Sequence, residues 1–392
     1  MPMLRPSTPR SVTDPLLPVA APTGPGRITE LDAARSMLML LGLVIHAASP
    51  YAAGHAWIVT DGNDQLWLLH LQRLPHMFRM SGFFLLAGFL GTLALNKRGV
   101  RDFLGRRTTR LIYPLVTALL TLNAIQYWYV HHHIATHCAG PATACAAHVV
   151  PGLWVAHLWF LFFLMGYSLL LPALVRICHW TPLRDLARRS AAAHWPLLVS
   201  LAVPFVASLL LKSCSLALPW LYERQLGIGS LFDFMRFGLY FALGVLIASW
   251  PLLRQRFVAL PPRTALLLVL AGIAAYVAAA QLATGHGWQA RAALVLEYAC
   301  QSLLTIGAVR LFMLLSHLLP GLATRIADSA YTVYLFHHLL VILTALALVG
   351  WSGPAWVKFL LVCTVAGGVS YQLHRQVISR SALLRRLFNG VV

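Results

Sequence analysis

Residues 31–51 read LDAARSMLMLLGLVIHAASPY. From Ser36 to Tyr51 the run contains no Asp, Glu, Lys or Arg. At 1.5 Å per helical residue, about twenty such residues cross the roughly 30 Å hydrocarbon core of a bilayer. This stretch predicts a transmembrane helix near 33–50. Comparable runs recur near 76–96, 111–131, 157–175, 193–211, 231–249, 264–284, 291–315, 329–349 and 355–374. The expected fold is therefore all-α, a polytopic integral membrane protein with about ten transmembrane helices.

Composition supports that reading. Of 392 residues, 59% are hydrophobic and 10% charged, and the mean hydropathy is +0.72. A water-soluble domain carries charge on about a quarter of its residues, and this chain falls far short. The formal charge of +19 invites a nucleic-acid reading, but the basic residues fall in short clusters between apolar runs and no nucleic-acid motif accompanies them.

Assigning alternate connections to opposite sides places 23 of the thirty Lys and Arg residues on one side and 7 on the other. A bias of this size predicts that the richer side is cytoplasmic and that both termini lie there. Residues 1–26, rich in Pro, Ser and Thr, read as a flexible cytoplasmic tail whose apolar stretch is too short for a signal-peptide core. Residues 27–378 form one membrane domain, and 379–392 a basic cytoplasmic segment, amphipathic over Ser381 to Phe388. Cys138 and Cys145 share a predicted external loop and are candidates to pair there.

Charged groups inside a bilayer are costly, about 2.5–3.5 kcal/mol on the insertion scale, so they mark interior contacts or wet cavities. Asp32 and Arg35 share one face of the first helix. His46 lies eleven positions beyond Arg35, roughly 16 Å along the same side. The stripe reads either as an interfacial ion pair beneath a hydrogen-bonded histidine or as a cation and a base facing one cavity. The segment NKRGVRDFLGRRTTRLIYP, expected as a loop leading into the third helix, carries Arg106, Arg107 and Arg110. Guanidinium groups there suit bidentate capture of phosphates, although the charge bias alone also accounts for them.

Three further groups stand out. His157 and Trp159 open the fourth helix at the external interface, where Trp is a common anchor. SAYTVYLFHH, residues 329–338, sets Tyr334 and two adjacent histidines in an apolar span, and since neighbours diverge by about 100° only His337 is expected to point with Tyr334. Glu297 is the one carboxylate well inside an apolar run, either neutralising Arg291 or another basic group across the bundle, or lining a proton or acceptor path. His131, His132, His133, His137 and His148 crowd one external loop without the spacing of a helical metal site, so no metal is expected.

Together these residues resemble the membrane-bound acyltransferase-3 family. Arg35, ten intervening residues and His46 match its R-x₁₀-H signature, and Arg107-Thr108-Thr109-Arg110 followed by Pro114 is similar to its arginine-rich element. The blocks LDAARSMLMLLGLVIH, FRMSGFFLLAGF, HLWFL and SAYTVYLFHH extend the likeness across the membrane domain, toward a glucan-modifying branch. One departure is Ala87, where members often carry Ser in FF-x-x-SG.

The resemblance implies a multi-pass enzyme of the bacterial inner membrane that moves an acyl group from cytoplasmic acyl-CoA to a hydroxyl of an extracytoplasmic saccharide. It implies succinyl first and acetyl next as the acyl group, and a glucan or other polysaccharide as acceptor. No permanently bound cofactor is expected, with acyl-CoA as donor substrate, and the partners are membrane lipid and the saccharide, with a homo-oligomer left open. In that frame His46 is the candidate general base, supported by Arg35 and Asp32. Arg106, Arg107 and Arg110 are the candidate CoA contacts, and His157, Trp159, Tyr334, His337 and Glu297 the candidates for acceptor contact or orientation. The rival reading is a transporter or flippase for an anionic lipid or glycan, which would show paired broken helices in inverted repeats. None is visible in the sequence. A third reading, a noncatalytic scaffold, would tolerate loss of His46.

Overall fold

The computed structural model describes residues 25–55, 57–137, 152–180 and 195–391. Ten segments among them are long and apolar enough to cross a membrane: Glu30–Tyr51, Leu66–Arg98, Val100–His133, Ala156–Cys178, Leu197–Leu216, Leu231–Ser249, Pro262–Leu282, Trp288–Leu318, Pro320–Leu348 and Ala355–Ile378. Each overlaps one of the ten expected runs, and the chain is an all-α multi-pass membrane protein. The sheet content of the described residues is one short antiparallel hairpin, Arg224–Gln225 against Gly229–Ser230.

The helices used below are α1 (Pro25–Ala48), α2 (Leu66–Arg98), α3 (Val100–Ala118), α4 (Ala124–His137), α5 (Trp159–Cys178), α6 (Trp195–Leu216) and α7 (Leu231–Ser249). A short α8 (Pro251–Val258) follows, then α9 (Pro262–Leu282), α10 (Trp288–Leu318), α11 (Pro320–Leu348), α12 (Ala355–Leu373) and α13 (Ala382–Asn389). α1 sits at the centre, packed against α2, α10, α11 and α12. α6 and α9 are peripheral and turn large apolar side chains such as Leu210 and Leu267 outward, as lipid contact requires.

α2 is the most enclosed span, with 83% of its apolar window buried against 17% for α6. Its close approach to α7 depends on two glycines. A Cβ on Gly88 would stand 2.2 Å from the Phe241 carbonyl oxygen, and one on Gly244 2.0 Å from that of Leu85. The backbones therefore touch, as small residues permit in membrane bundles. Around this crossing Phe84, Tyr167 and Phe237 pack edge-on or tilted, with ring centres 5.1–5.6 Å apart, which fixes α2 relative to α5 and α7.

The boundaries that differ most from expectation lie where polar residues occupy a helix. α2 begins at Leu66, ten residues before the expected start, and its added turns bury Gln72. The arginine-rich segment is helix and not loop: Gly99, at φ +78°, both ends α2 and opens α3. α3 then runs through a π-helical turn, Leu119–Asn123, into α4. Finally α1 begins at Pro25, inside the expected tail. The expected pair Cys138 and Cys145, together with His148 and residues 1–24, lies outside the described residues.

The C-terminal amphipathic helix is present as α13, capped by the Ser381 hydroxyl, which accepts from the Leu384 amide, and closed by left-handed Gly390. It packs against α3 instead of standing free on the bilayer surface. The Asn389 carboxamide oxygen accepts from Thr332 of α11 at 2.9 Å, and Arg386 donates to the Tyr113 hydroxyl at 3.0 Å.

Candidate active site

α1 carries polar groups at both of its ends, and each end opens a distinct site. At the N-terminal end Arg35 and Asp32 form an ion pair of 3.1 Å one turn apart. Beside them lies a cavity of about 420 Å³, within the usual range for ligand sites. Four arginines line it: Arg35, Arg107 and Arg110, with Arg385 contributed by α13. Asp328 is the one carboxylate in its wall. Arg35 Nε and the Tyr331 hydroxyl are buried without a partner among the described residues, so the cavity offers donors to an anion. Arg107 Nε donates to the Ser168 hydroxyl at 3.3 Å, which steadies one guanidinium.

Arg106 does not join them. Its side chain is exposed and paired with Asp102 at 2.8 Å, because on a helix it diverges from Arg107 by about 100° and faces away from the cavity.

At the other end of α1, four histidines converge. The His46 ring centre lies 5.5 Å from that of His337 and 4.8 Å from that of His338, and His157 lies 5.2 and 4.7 Å from the same two. His337 lies against Tyr334 as expected, ring centres 5.6 Å apart, but His338 joins the same histidine cluster, which the sequence did not suggest. The 100° divergence is accommodated because His46 and His157 wrap the helix, and both His337 and His338 are buried, at 1% and 3% exposure.

Hydrogen bonds orient these rings. His337 Nδ1 donates to the Tyr334 carbonyl at 2.7 Å, and His338 Nδ1 to the Gln126 side-chain oxygen at 2.7 Å. Both acceptors lack protons to give, so each ring keeps its other nitrogen as a free acceptor in the neutral form. His337 Nε2 and His46 Nδ1 are buried and unpartnered. The Tyr334 hydroxyl donates to the His157 carbonyl, which places Tyr334 as a brace for the 3₁₀ turn Ala156–Leu158. Asn123, in the π-turn, donates to the carbonyls of Trp154 and Val155 at 2.9 and 2.8 Å and holds the same segment.

Two expected acceptor contacts stand elsewhere. Trp159 stacks on Phe237 and meets Phe163 edge-on, so its ring belongs to the aromatic core. Glu297 is exposed on α10 and shares no hydrogen bond, ring contact or cavity wall with the histidines. The His46–His338 cluster instead receives Trp57, whose ring stacks on His46 at 6.2 Å and meets His338 at 5.8 Å. Trp57 sits on the connection between α1 and α2, which folds back over the end of α1 through the Asp61 amide on the Pro50 carbonyl and the Gln65 amide on the Tyr51 carbonyl. His55, two residues before Trp57, is held below the ordinary imidazole range by burial and then by Arg73, so the connection adds no imidazolium at neutral pH.

The largest omission of sequence reasoning is Arg79. Counted with the sparse side of the charge bias, it is 6% exposed and lies between the two sites. Its guanidinium occupies the space over Gly42: a Cβ there would meet Arg79 Nη1 at 2.1 Å and stand 3.8 Å from His337 Nε2. Gly42 is one turn from His46. The signal available was the one Asp, Glu, Lys or Arg in the expected run 76–96. Among the described residues no group of three or more His, Cys, Asp or Glu has the arrangement of a metal site.

A family model for an acyltransferase domain, acyltransferase-3, matches residues 28–375. That span takes in Asp32, Arg35 and all four histidines. Glucans biosynthesis protein C of Escherichia coli strain K12 is 22% identical over 378 residues, which cover 92% of this chain and 94% of that protein. Its counterparts from Escherichia coli O81 (strain ED1a) and O9:H4 (strain HS) show the same identity and coverage. No solved structure matches the chain.

Proposed function

This chain belongs to the acyltransferase-3 family and is a membrane acyltransferase, and from that premise we propose that it transfers an acyl group from cytoplasmic acyl-CoA to a hydroxyl of an extracytoplasmic glucan or related polysaccharide. Succinyl is the favoured acyl group and acetyl the next. The location is a bacterial inner membrane, with the arginine-lined end of α1 toward the cytoplasm, in keeping with the 23-to-7 distribution of basic residues.

The observation that carries the reading is that one helix joins an arginine-lined cavity to a histidine cluster. Arg35 and His46 are eleven residues, or about 16 Å, apart, a distance suited to an extended pantetheine arm. Arg35, Arg107 and Arg110 hold the CoA phosphates, Asp32 orients Arg35, and the thioester reaches the histidines. CoA then never crosses the membrane.

His46 acts as the general base. It takes the proton of the acceptor hydroxyl as that oxygen attacks the thioester carbonyl carbon. The new C–O bond forms, the C–S bond breaks, and the imidazolium returns its proton to the departing thiolate, leaving an ester and free CoA. Base catalysis of this kind contributes about 10²–10⁴-fold. His337, fixed as the Nδ1–H tautomer, presents Nε2 to the same space, and Trp57 offers an aromatic face to the sugar.

The test uses labelled succinyl-CoA and acetyl-CoA with membranes carrying the native chain or His46→Ala at matched abundance, and reads label in extracytoplasmic glucan. Transfer by the native chain that falls at least 100-fold in the variant supports the reading. Equal transfer by both removes His46 as the base. No transfer to any saccharide offered overturns the acceptor class.

A further inference from the structure

Between the cavity and the histidines lies a small cleft of about 10 Å³, space for roughly one water molecule, walled by Leu38, Met39, Met80, Phe83 and Phe160, with Arg79 and Tyr334 as its polar residues. Met39, Phe83 and Phe160 also line the arginine cavity, so the two spaces share a wall, and Arg79 reaches from the cleft to Gly42, one turn before His46. The Tyr334 hydroxyl is spent on the His157 carbonyl. Arg79 has no carboxylate partner and donates no side-chain hydrogen bond to any described residue, and its Nε is buried without a partner.

An uncompensated guanidinium inside a protein costs several kcal/mol, and a chain retains one where a ligand completes it. A thioester carbonyl brings only a transient partial charge and leaves the cation uncompensated once the reaction is over. A carboxylate at the far end of the acyl chain brings a full charge throughout binding and matches the guanidinium bidentately. The apolar walls accept the methylenes between, and Met39 and Met80, unbranched and adaptable, are the side chains that yield as they enter.

We propose that Arg79 is the residue that selects the acyl group, by pairing with the distal carboxylate of a dicarboxylic acyl donor while the thioester sits at His46. The inference rests on the acyl-CoA reading above and adds to it the chemistry that separates succinyl from acetyl.

The experiment compares the native chain with Arg79→Gln and Arg79→Lys in two measurements. In transfer assays with succinyl-CoA and acetyl-CoA, the ratio of succinyl to acetyl kcat/KM falls about 10- to 100-fold in Arg79→Gln, as loss of a charged hydrogen-bond pair predicts, and recovers in part in Arg79→Lys. In thermal melts without acceptor, succinyl-CoA raises the Tm of the native protein more than acetyl-CoA does, and Arg79→Gln erases the difference. An unchanged ratio, or native protein protected equally by the two donors, overturns the proposal while leaving the acyltransferase reading intact. Protection by neither donor overturns the acyl-CoA reading and Arg79's role with it.

Discussion

Lys358 and Arg79 are both buried cations, at 2% and 6% exposure, and they are built in opposite ways. Lys358 of α12 donates to both oxygens of Asp61 at 2.8 and 2.7 Å, and Asp61 is itself buried. The pair pins the connection that carries Trp57 onto the end of α1. Arg79 has nothing of the kind: it rests against bare backbone at Gly42 and faces an apolar cleft. A charge satisfied from within fixes architecture, whereas a charge left open inside a protein reserves a place for a ligand's opposite charge.

The largest effect that separates them is on stability. Asp61→Ala strands the Lys358 ammonium in the interior, and removing one partner of a buried pair costs about 3–5 kcal/mol. The Tm of the purified protein in detergent should fall sharply. Arg79→Met removes a charge that already lacks a partner and should leave Tm unchanged or higher, even though it alters donor choice. If the two substitutions destabilise alike, Arg79 is as structural as Lys358 and the contrast is gone.

A smaller effect sharpens the same contrast from the Lys358 side. Replacing both members, Asp61→Leu with Lys358→Met, removes desolvation cost and attraction together, and such exchanges are neutral or stabilising by about 1–4 kcal/mol. The double variant should recover most of the Tm lost in Asp61→Ala. What it does not recover is the specific direction of the ion pair, so acceptor KM reports whether Trp57 is still held over His46. Trp57→Ala, which leaves the pair intact, should raise acceptor KM about 2- to 10-fold, in line with a single aromatic stacking contact, with a smaller change in kcat.

Hydropathy made the ten spans legible because a lipid-facing helix has no alternative to being apolar. The same measure misjudged the parts of helices that face protein. α2 and α3 extend beyond their apolar runs through polar residues, Gln72 in one and Arg107 and Arg110 in the other, that turn toward the interior or the cavity, and a window average cannot say which way a side chain points. Arg35 and His46 were legible, since both lie on one helix with a spacing that periodicity interprets. Trp57, Gln126, Arg79 and His338 were not, because their roles depend on contacts between helices far apart in sequence. Trp159 misled for the complementary reason: its place at a span end suits a sugar contact, and only packing shows Phe237 against its ring.

The smallest expected effect concerns Arg385, an exposed cation that stands between the two extremes. It lines the arginine cavity from α13, beyond the residues the family model matches, and water screens it in a way that Arg79 is not screened. An exposed charge contributes little to binding, so Arg385→Ala should raise donor KM only about two- to fivefold and leave kcat and the succinyl-to-acetyl ratio in place. Because screening grows with ionic strength, the difference between native and variant should shrink as salt is raised, which an Arg79 variant should not show. A salt-independent loss at Arg385 would instead mean that α13 positions the cavity wall through Asn389 and Thr332, and Asn389→Ala, which keeps the charge, would then reproduce it.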